Sequence, residues 1–498
     1  MKTIVKLIFI ISLIQGVSSR IFGYCRDAKI IPDFINSEIL NDTVYGETSQ
    51  PYVHEFKDKC LNGYLLEYYC AGGERSFTAI PCGECSNGAC AGGGECGDGR
   101  CTGNENPENC AQDCGNYKVV RCSTCADMDA AAAKGNSYVL LTKDIQFCPA
   151  TCVQIRADNV ILDGGGHTVI GGSNTIHSDN LPKNTNITIK NFKFIMGTTG
   201  MYIRRDSYVY IYNNVFEKKS SAAIHIENSF DNLGRFFEIH DNVIKDCGKG
   251  ILVQDGSRNG KIYRNVIINS NQRTSGYGSE AAMWIDADFR DIDIYENYVK
   301  GGRGGIRLRG QVNRGTRVNL HHNTVVGCME SGIIIWYNTY DCNIFSNLVK
   351  VHPIAEAFRV NAKTGSATNN NTFSSNIIDA CRTVYHLDGE PVFDNTIRGN
   401  RVVGPYSMYL QAEKNILDTK LEDEIDLNIA KVNVQSGATA TVAQTLQVRV
   451  LLENTPVYGA SVEVKDKAGS SIESGTTNKA GWFISSNPLL AYRFAGSN

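Results

Sequence analysis

Two of the chain's three tryptophans, Trp284 and Trp336, fall in a stretch that also carries Asp286, Asp288, Arg307, Arg309 and Arg359. Indole faces stack on sugar rings, and carboxylate and guanidinium groups hydrogen-bond hydroxyls. Guanidinium groups also pair with uronate carboxylates, so this mixture suits a linear acidic polysaccharide. The acidic run Asp286, Asp288, Asp291 and Asp293 is crowded. Like charges at that spacing repel unless a cation or nearby arginines offset them, so the run marks either an ion site or a set of ion pairs.

These residues belong to a repeat. A phrase Ile-x-x-Asn-x-Val places asparagines at Asn214, Asn242, Asn265, Asn297, Asn323, Asn347, Asn376 and Asn400, at intervals of 23 to 32 residues. A second phrase reads Gly250-Ile-Leu-Val253, Ala282-Met-Trp-Ile285, Gly305-Ile-Arg-Leu308 and Gly332-Ile-Ile-Ile335. Self-similarity at this period means a solenoid, and apolar residues alternating with polar ones make its units strands rather than helices. The fold class is therefore all-β, a parallel β-helix with Ile and Val columns inside and an asparagine column at one bend. There each amide can bond the next asparagine and the turn backbone.

Alternation throws every second residue of the Gly-Ile phrase outward. One outward column is Tyr202, His225, Leu252, Trp284, Arg307, Ile334, Arg359, His386 and Tyr409. Its neighbour is Arg204, Glu227, Gln254, Asp286, Arg309, Trp336, Asn361, Asp388 and Gln411. Together they form one strip, on which His225, Glu227, Trp284, Trp336 and Arg359 are expected to bind substrate. Asp286 and Arg309 share a column on adjacent coils, so a plain cross-strand ion pair is the competing role. His225 and His386 look isolated on the strip.

The opening coil, Ser137-Tyr-Val-Leu-Leu141, then Cys152-Val-Gln-Ile155 and Asn159-Val-Ile-Leu-Asp-Gly-Gly-Gly-His-Thr-Val169, resembles the right-handed β-helix domains related to NosD and, more distantly, pectate-lyase-like proteins. The resemblance covers about 120–415 and implies a right-handed coil. It implies carboxylates holding calcium on this exterior sheet with an arginine near the abstracted proton. Carried over, Asp286 and Asp288 would bind the ion, and Asp286, Arg307 and Arg309 would form the catalytic group. A calcium ion there would neutralise a uronate and acidify the proton alpha to it. No lyase, epimerase or glycosidase motif is matched residue by residue, and a shared fold does not fix a function.

A net charge of −3 with 20% charged residues gives no reason to expect nucleic acid as a partner. Lys2 and Lys6 precede the apolar run from Leu7 to Leu13, and Val17-Ser-Ser19 offers small residues, so 1–19 reads as a secretory signal. No later apolar run is long enough to span a bilayer, and the expected location is secreted or at the cell surface. Fourteen of the 18 cysteines lie before residue 153, which in an exported chain implies a disulfide framework. Cys82-x-x-Cys85 and Cys122-x-x-Cys125 are half zinc sites in isolation, with oxidised pairs preferred outside the cell. Cys247, Cys328, Cys342 and Cys381 are expected to be free and buried.

Around the solenoid the expected organisation is an N-terminal segment 20–58, then cysteine-rich modules 59–118, similar to those of archaeal surface proteins. Asp98, Asn104, Glu105 and Glu108 there offer calcium a second place. The β-helix with its N-terminal cap spans 119–418, a linker 419–437, and a small β-sandwich 438–498, minimal or truncated, that resembles carboxypeptidase regulatory domains. Two functions fit: binding, with cleavage or modification, of an extended acidic polysaccharide by a lyase, epimerase or glycoside hydrolase, or a non-catalytic adhesin or envelope spacer.

Overall fold

The computed structural model describes 117–495 apart from short gaps, the longest being 228–235 and 272–280, together with 110–115 and short strands within 25–91. The expected signal sequence, Asp98, Asn104, Glu105, Glu108 and most of the expected disulfide framework lie outside the described residues. The chain divides into two compact units, 1–32 with 38–91, and 33–37 with 92–498. The first contains antiparallel pairs, the longest between Tyr64–Ala71 and Glu74–Pro81.

In the second unit each coil lays down three short parallel strands. Arg258–Tyr263, Val266–Ile268 and Ala281–Asp286 make one coil, and Arg290–Tyr295, Tyr298–Lys300 and Gly304–Arg309 the next. Each strand pairs in register with its equivalent one coil away. Three sheets run the length of the rod, called here first, second and third in the order in which a coil visits them; the second has 11 strands and the third 12. The expected right-handed parallel β-helix is the fold that forms. Alternation is strict: in Gly304–Arg309, Ile306 and Leu308 are wholly buried, and Leu308 continues the column Ile285, Leu308, Ile335, Val360 and Leu387.

The bend between first and second sheets is built by the asparagines. The residue before each of them is left-handed, from Asn213 at φ 55 and Asp241 at φ 53 to His322 at φ 54 and Ser375 at φ 54. Such a backbone costs a non-glycine residue roughly 1 kcal/mol, which the asparagine offsets by satisfying the turn. Asn297 donates its amide to the Ile262 and Tyr295 carbonyls at 2.8 and 3.0 Å and to Asn323 Oδ1 at 2.9 Å. Its own Oδ1 accepts from the Asn265 backbone and side chain at 3.0 Å each. This pattern runs from Asn214 to Asn400, where Glu424 Oε1 takes the place of the next amide oxygen, at 3.0 and 2.9 Å. Cys247, Cys328, Cys342 and Cys381 are free and buried, as expected.

A cap covers the first coil. Thr124 accepts from the Asp127 backbone and starts the helix Cys125–Ala132, which buries Met128, Ala131 and Ala132. The cap strand Lys118–Cys122 pairs in parallel with Ser137–Leu141 and so begins the first sheet. Cys122-x-x-Cys125 is not an oxidised pair: Cys125 bonds Cys152, and Cys122 is a buried thiol.

The far end differs from expectation. Winding does not stop at 418: Thr419–Glu422 pairs with Thr396–Arg398, Val432–Val434 with Met408–Ala412, and Thr439–Gln444 with Thr419–Glu422. The linker is therefore part of the rod. Beyond it come antiparallel pairs, Gln447–Arg449 with Trp482–Ile484 and Ser461–Lys465 with Ser471–Thr476, and Leu489–Ala495 returns to Thr439–Gln444. Among the described residues the Gln447–Arg449 and Ser461–Lys465 pairs are separate two-stranded sheets. No helix among the described residues is long and apolar enough to cross a membrane.

Candidate functional site

The register of the third sheet places the sequence-derived columns side by side. Tyr202, His225, Leu252, Trp284, Arg307, Ile334, Arg359 and His386 pair in succession, and so do Arg204, Glu227, Gln254, Asp286, Arg309, Trp336, Asn361 and Asp388. Two positions fail: Gln411, expected to follow Asp388, pairs with His386, and Tyr409, expected there, is wholly buried. The last coil carries two more residues before its outward position than the Ser-Met-Tyr-Leu phrase implies.

At the N-terminal end His177, Tyr202 and His225 form a ring stack with centroids 5.3 and 4.7 Å apart. Tyr202 donates its hydroxyl to Glu227 at 2.6 Å, and Arg204 pairs with the same carboxylate at 2.9 Å. Burial pushes the His225 imidazole below its ordinary value, favouring the neutral ring.

In the centre, Trp284, Arg307 and Trp336 are layered. The Arg307 guanidinium lies 4.5 Å from the Trp284 ring and 3.6 Å from the Trp336 ring, with Arg309 at 4.7 Å and Lys249 at 5.1 Å from Trp284. Arg307 is only 1% exposed. Burial, then the neighbouring Arg309 charge, push its guanidinium down to about 8, a direction that the two indole faces oppose. The indole faces thus hold arginine, and the two buried indole Nε1 donors have no hydrogen-bond partner among the described residues.

Asp286 faces Arg309 through two contacts of 2.6 and 2.5 Å, and Asp286 is 1% exposed. Asp288 lies 3.5 Å from Arg258 and 3.7 Å from Arg290. Asp291 is bidentate to Arg317, at 2.6 and 2.7 Å, and Asp293 lies 3.5 Å from His321. Arginines therefore face Asp286, Asp288 and Asp291, Asp293 faces an imidazole that burial keeps toward the neutral form, and the run is split between two sheets. Of the two roles read for Asp286, the ion pair is the one that the geometry forms. Among the described residues no trio of carboxylates or imidazoles that includes Asp286 and Asp288 brings its ligand atoms within 4.8 Å of one another, although burial and the charges of Glu227, Asp286 and Asp288 raise the nearby Asp255 carboxyl. The Asp286 carboxylate is held by Arg309, and the Arg307 guanidinium lies between the two indole rings.

At the C-terminal end, His386 is not isolated. Its Nδ1 lies 2.6 Å from Glu356 and its Nε2 3.1 Å from Glu413. Burial pulls its pKa down, but the hydrogen bond and charge of Glu356 outweigh that, so the imidazole is raised. Arg359 pairs with Asp388 at 2.6 Å and reaches Glu330 at 3.7 Å, and Arg382 reaches Glu356 at 3.2 Å. Sequence reading missed Glu356 and Glu413 because each lies outside the outward columns, at a strand's start and beyond a strand's end.

A second ladder also went unread. On the first sheet Tyr212, His240, Tyr263, Tyr295, His321 and Phe345 stack with centroids 4.7 to 5.3 Å apart. Each stands two residues before a ladder asparagine, a spacing visible in the sequence. Their faces are filled by one another, so they stiffen the rod and leave only edges for a ligand. Beside them a shallow groove of about 520 Å³ is lined by Phe236, Lys261, Asp293, Arg317 and Asn343, among others.

The sequence matches the family model described as "Right handed beta helix region" over 142–279 and 176–349. No curated protein matches it. Solved structures similar to it include the catalytic unit of a GH87 alpha-1,3-glucanase from Streptomyces thermodiastaticus, at 14% identity and TM-score 0.45, covering 84% of this chain and 85% of that one. The tailspike protein of an E. coli bacteriophage in complex with pentasaccharide is similar at 12% identity and TM-score 0.41, covering 72% and 73%. An exopolygalacturonase from Thermotoga maritima is similar at 11% identity and TM-score 0.40, covering 75% and 92%.

Proposed function

We propose that the exterior of the third sheet binds an extended acidic polysaccharide, with the Trp284–Arg307–Trp336 layer at its centre. The observation that carries this is a local excess of positive charge. Lys249, Arg307 and Arg309 gather on one indole, 5.1, 4.5 and 4.7 Å from its ring, beside the Asp286 carboxylate, which pairs with Arg309. A desolvated guanidinium gains most from a second anion, and a uronate carboxylate supplies one. Successive coils repeat at the strand spacing of ~4.8 Å, so a chain laid along the strip meets a new pair of side chains at each coil.

Recognition by charge and ring edges needs no calcium. Glu356, His386 and Glu413 stand close together on this face, and proton transfer on a bound uronate is assigned to them. A rigid, non-catalytic spacer at the cell surface is the rival reading, and the satisfied cross-coil ion pairs favour it. Affinity electrophoresis of the full chain through polygalacturonate and through neutral dextran separates the two. Retardation by the acidic polymer alone supports binding, and equal mobility in both supports the spacer.

A further inference from the structure

The cap holds a sulfur cluster that glycan binding does not use. The Sγ atoms of Cys125, Cys148 and Cys152 all lie within 4.8 Å of one another, and only two of them are bonded. Cys148 is a buried free thiol set against the disulfide that fastens the cap helix to the first coil. A second buried group acts on the same place. Lys219 is wholly buried, with its ammonium held by the Gly171 carbonyl at 3.2 Å and Thr175 Oγ1 at 3.1 Å. The charges that act on it are the thiols of Cys247 and Cys148, and among the described residues no carboxylate pairs with it. An ammonium in a low-dielectric interior favours a thiolate beside it.

We propose that Cys125, Cys148 and Cys152 form a thiol–disulfide exchange centre, in which Cys148 is the nucleophile and Lys219 the cation that favours its thiolate. The Cys148 thiolate attacks Cys152 Sγ, a Cys148–Cys152 bond forms, and the Cys125–Cys152 bond breaks. Cys125 leaves as a thiolate and takes up the proton that Cys148 gave up, so no external oxidant or reductant is consumed. The direction has a physical basis. Cys125 is the first residue of the cap helix and is partly exposed, whereas Cys148 and Cys152 are buried. A helix N-terminus stabilises a leaving thiolate, and water does so further. Burial is the larger effect and raises the Cys148 thiol, and Lys219 offsets part of that rise. Exchange thus turns a hidden thiol into one at the surface, where it can attack a small-molecule or protein disulfide and form a mixed disulfide, the other sulfur of that disulfide leaving as a thiolate.

The full chain, purified without reductant, is incubated with N-ethylmaleimide under native conditions and its disulfides are mapped after digestion without reduction. Maleimide on Cys125 together with a Cys148–Cys152 bond is the expected result. Cys148→Ser and Cys148→Ala should both leave Cys125 unlabelled. Lys219→Met and Lys219→Gln should each slow labelling about tenfold, the effect of one pKa unit on the thiolate population. Maleimide on Cys148 with the Cys125–Cys152 bond intact, a native Cys122–Cys148 bridge, or labelling rates unchanged in both Lys219 variants would each overturn the proposal.

Discussion

Replacing Asp286 by alanine tests whether its carboxylate is a counter-ion or a ligand. Asp286 is 1% exposed and Arg309 keeps 21% of its side chain in water. Breaking a fully buried pair costs about 3–5 kcal/mol, because one charge is left desolvated. Water at Arg309 screens part of that, while the bare guanidinium would then face Arg307, so a loss of about 2–3 kcal/mol is expected. The assay is the urea midpoint of wild type, Asp286→Ala, Arg309→Met and the double variant at neutral pH. The double variant should be more stable than Asp286→Ala alone, with a coupling energy of about 1–3 kcal/mol. Wild-type stability in Asp286→Ala, accompanied by loss of a calcium-dependent binding signal, would refute the counter-ion role.

Other consequences follow from the same geometry. Asn297→Ala removes five hydrogen bonds from a buried bend and should cost about 3–5 kcal/mol in urea unfolding, against under about 0.5 kcal/mol for the exposed Asn319→Ala. Burial raises the Glu424 carboxyl from 4.5 to about 7, so the folded chain keeps a proton that the unfolded chain has lost. Stability should therefore fall as pH rises from 4.5 to about 7, and Glu424→Gln should flatten that fall and gain about 2 kcal/mol at pH 8. His386 is raised above 6.5, so its stabilising share is complete below that pH and is lost as pH climbs through its folded value; His386→Gln should remove this slope from the unfolding midpoint. A chelator should leave polysaccharide binding unchanged in affinity electrophoresis, and a chelator-sensitive shift would restore a role for a divalent cation.

The sequence announced the winding of the chain and the membership of the exterior strip because both follow from a period. Ile306 and Leu308 alternate with Arg307 and Arg309, and no other backbone than a strand satisfies that pattern beside the asparagine bend. It did not announce which side chains would consume one another. That Arg307 lies between two indoles depends on Trp284 being one coil before it and Trp336 one coil after, in adjacent columns, so a three-dimensional diagonal decides it. The Glu356–His386–Glu413 contact joins three coils, and its carboxylates fall where no phrase repeats. Past 418 the apolar positions lose their regular spacing, although Val432–Val434 and Thr439–Gln444 still pair with the rod. The aromatic-x-Asn spacing was legible in the sequence, but only once the asparagine bend is known to adjoin an outward-facing strand position.

The most direct measurement is the equilibrium affinity of the full chain for polygalacturonate, for wild type and Arg307→Met. Methionine keeps much of the length and none of the charge, and a well-packed apolar replacement of a buried charge is tolerated. The account predicts tight, salt-sensitive binding by wild type and affinity about tenfold lower or less for Arg307→Met, about 1.4 kcal/mol, at an unchanged unfolding midpoint. Equal affinity of the two proteins, or equal binding of neutral dextran, would contradict it.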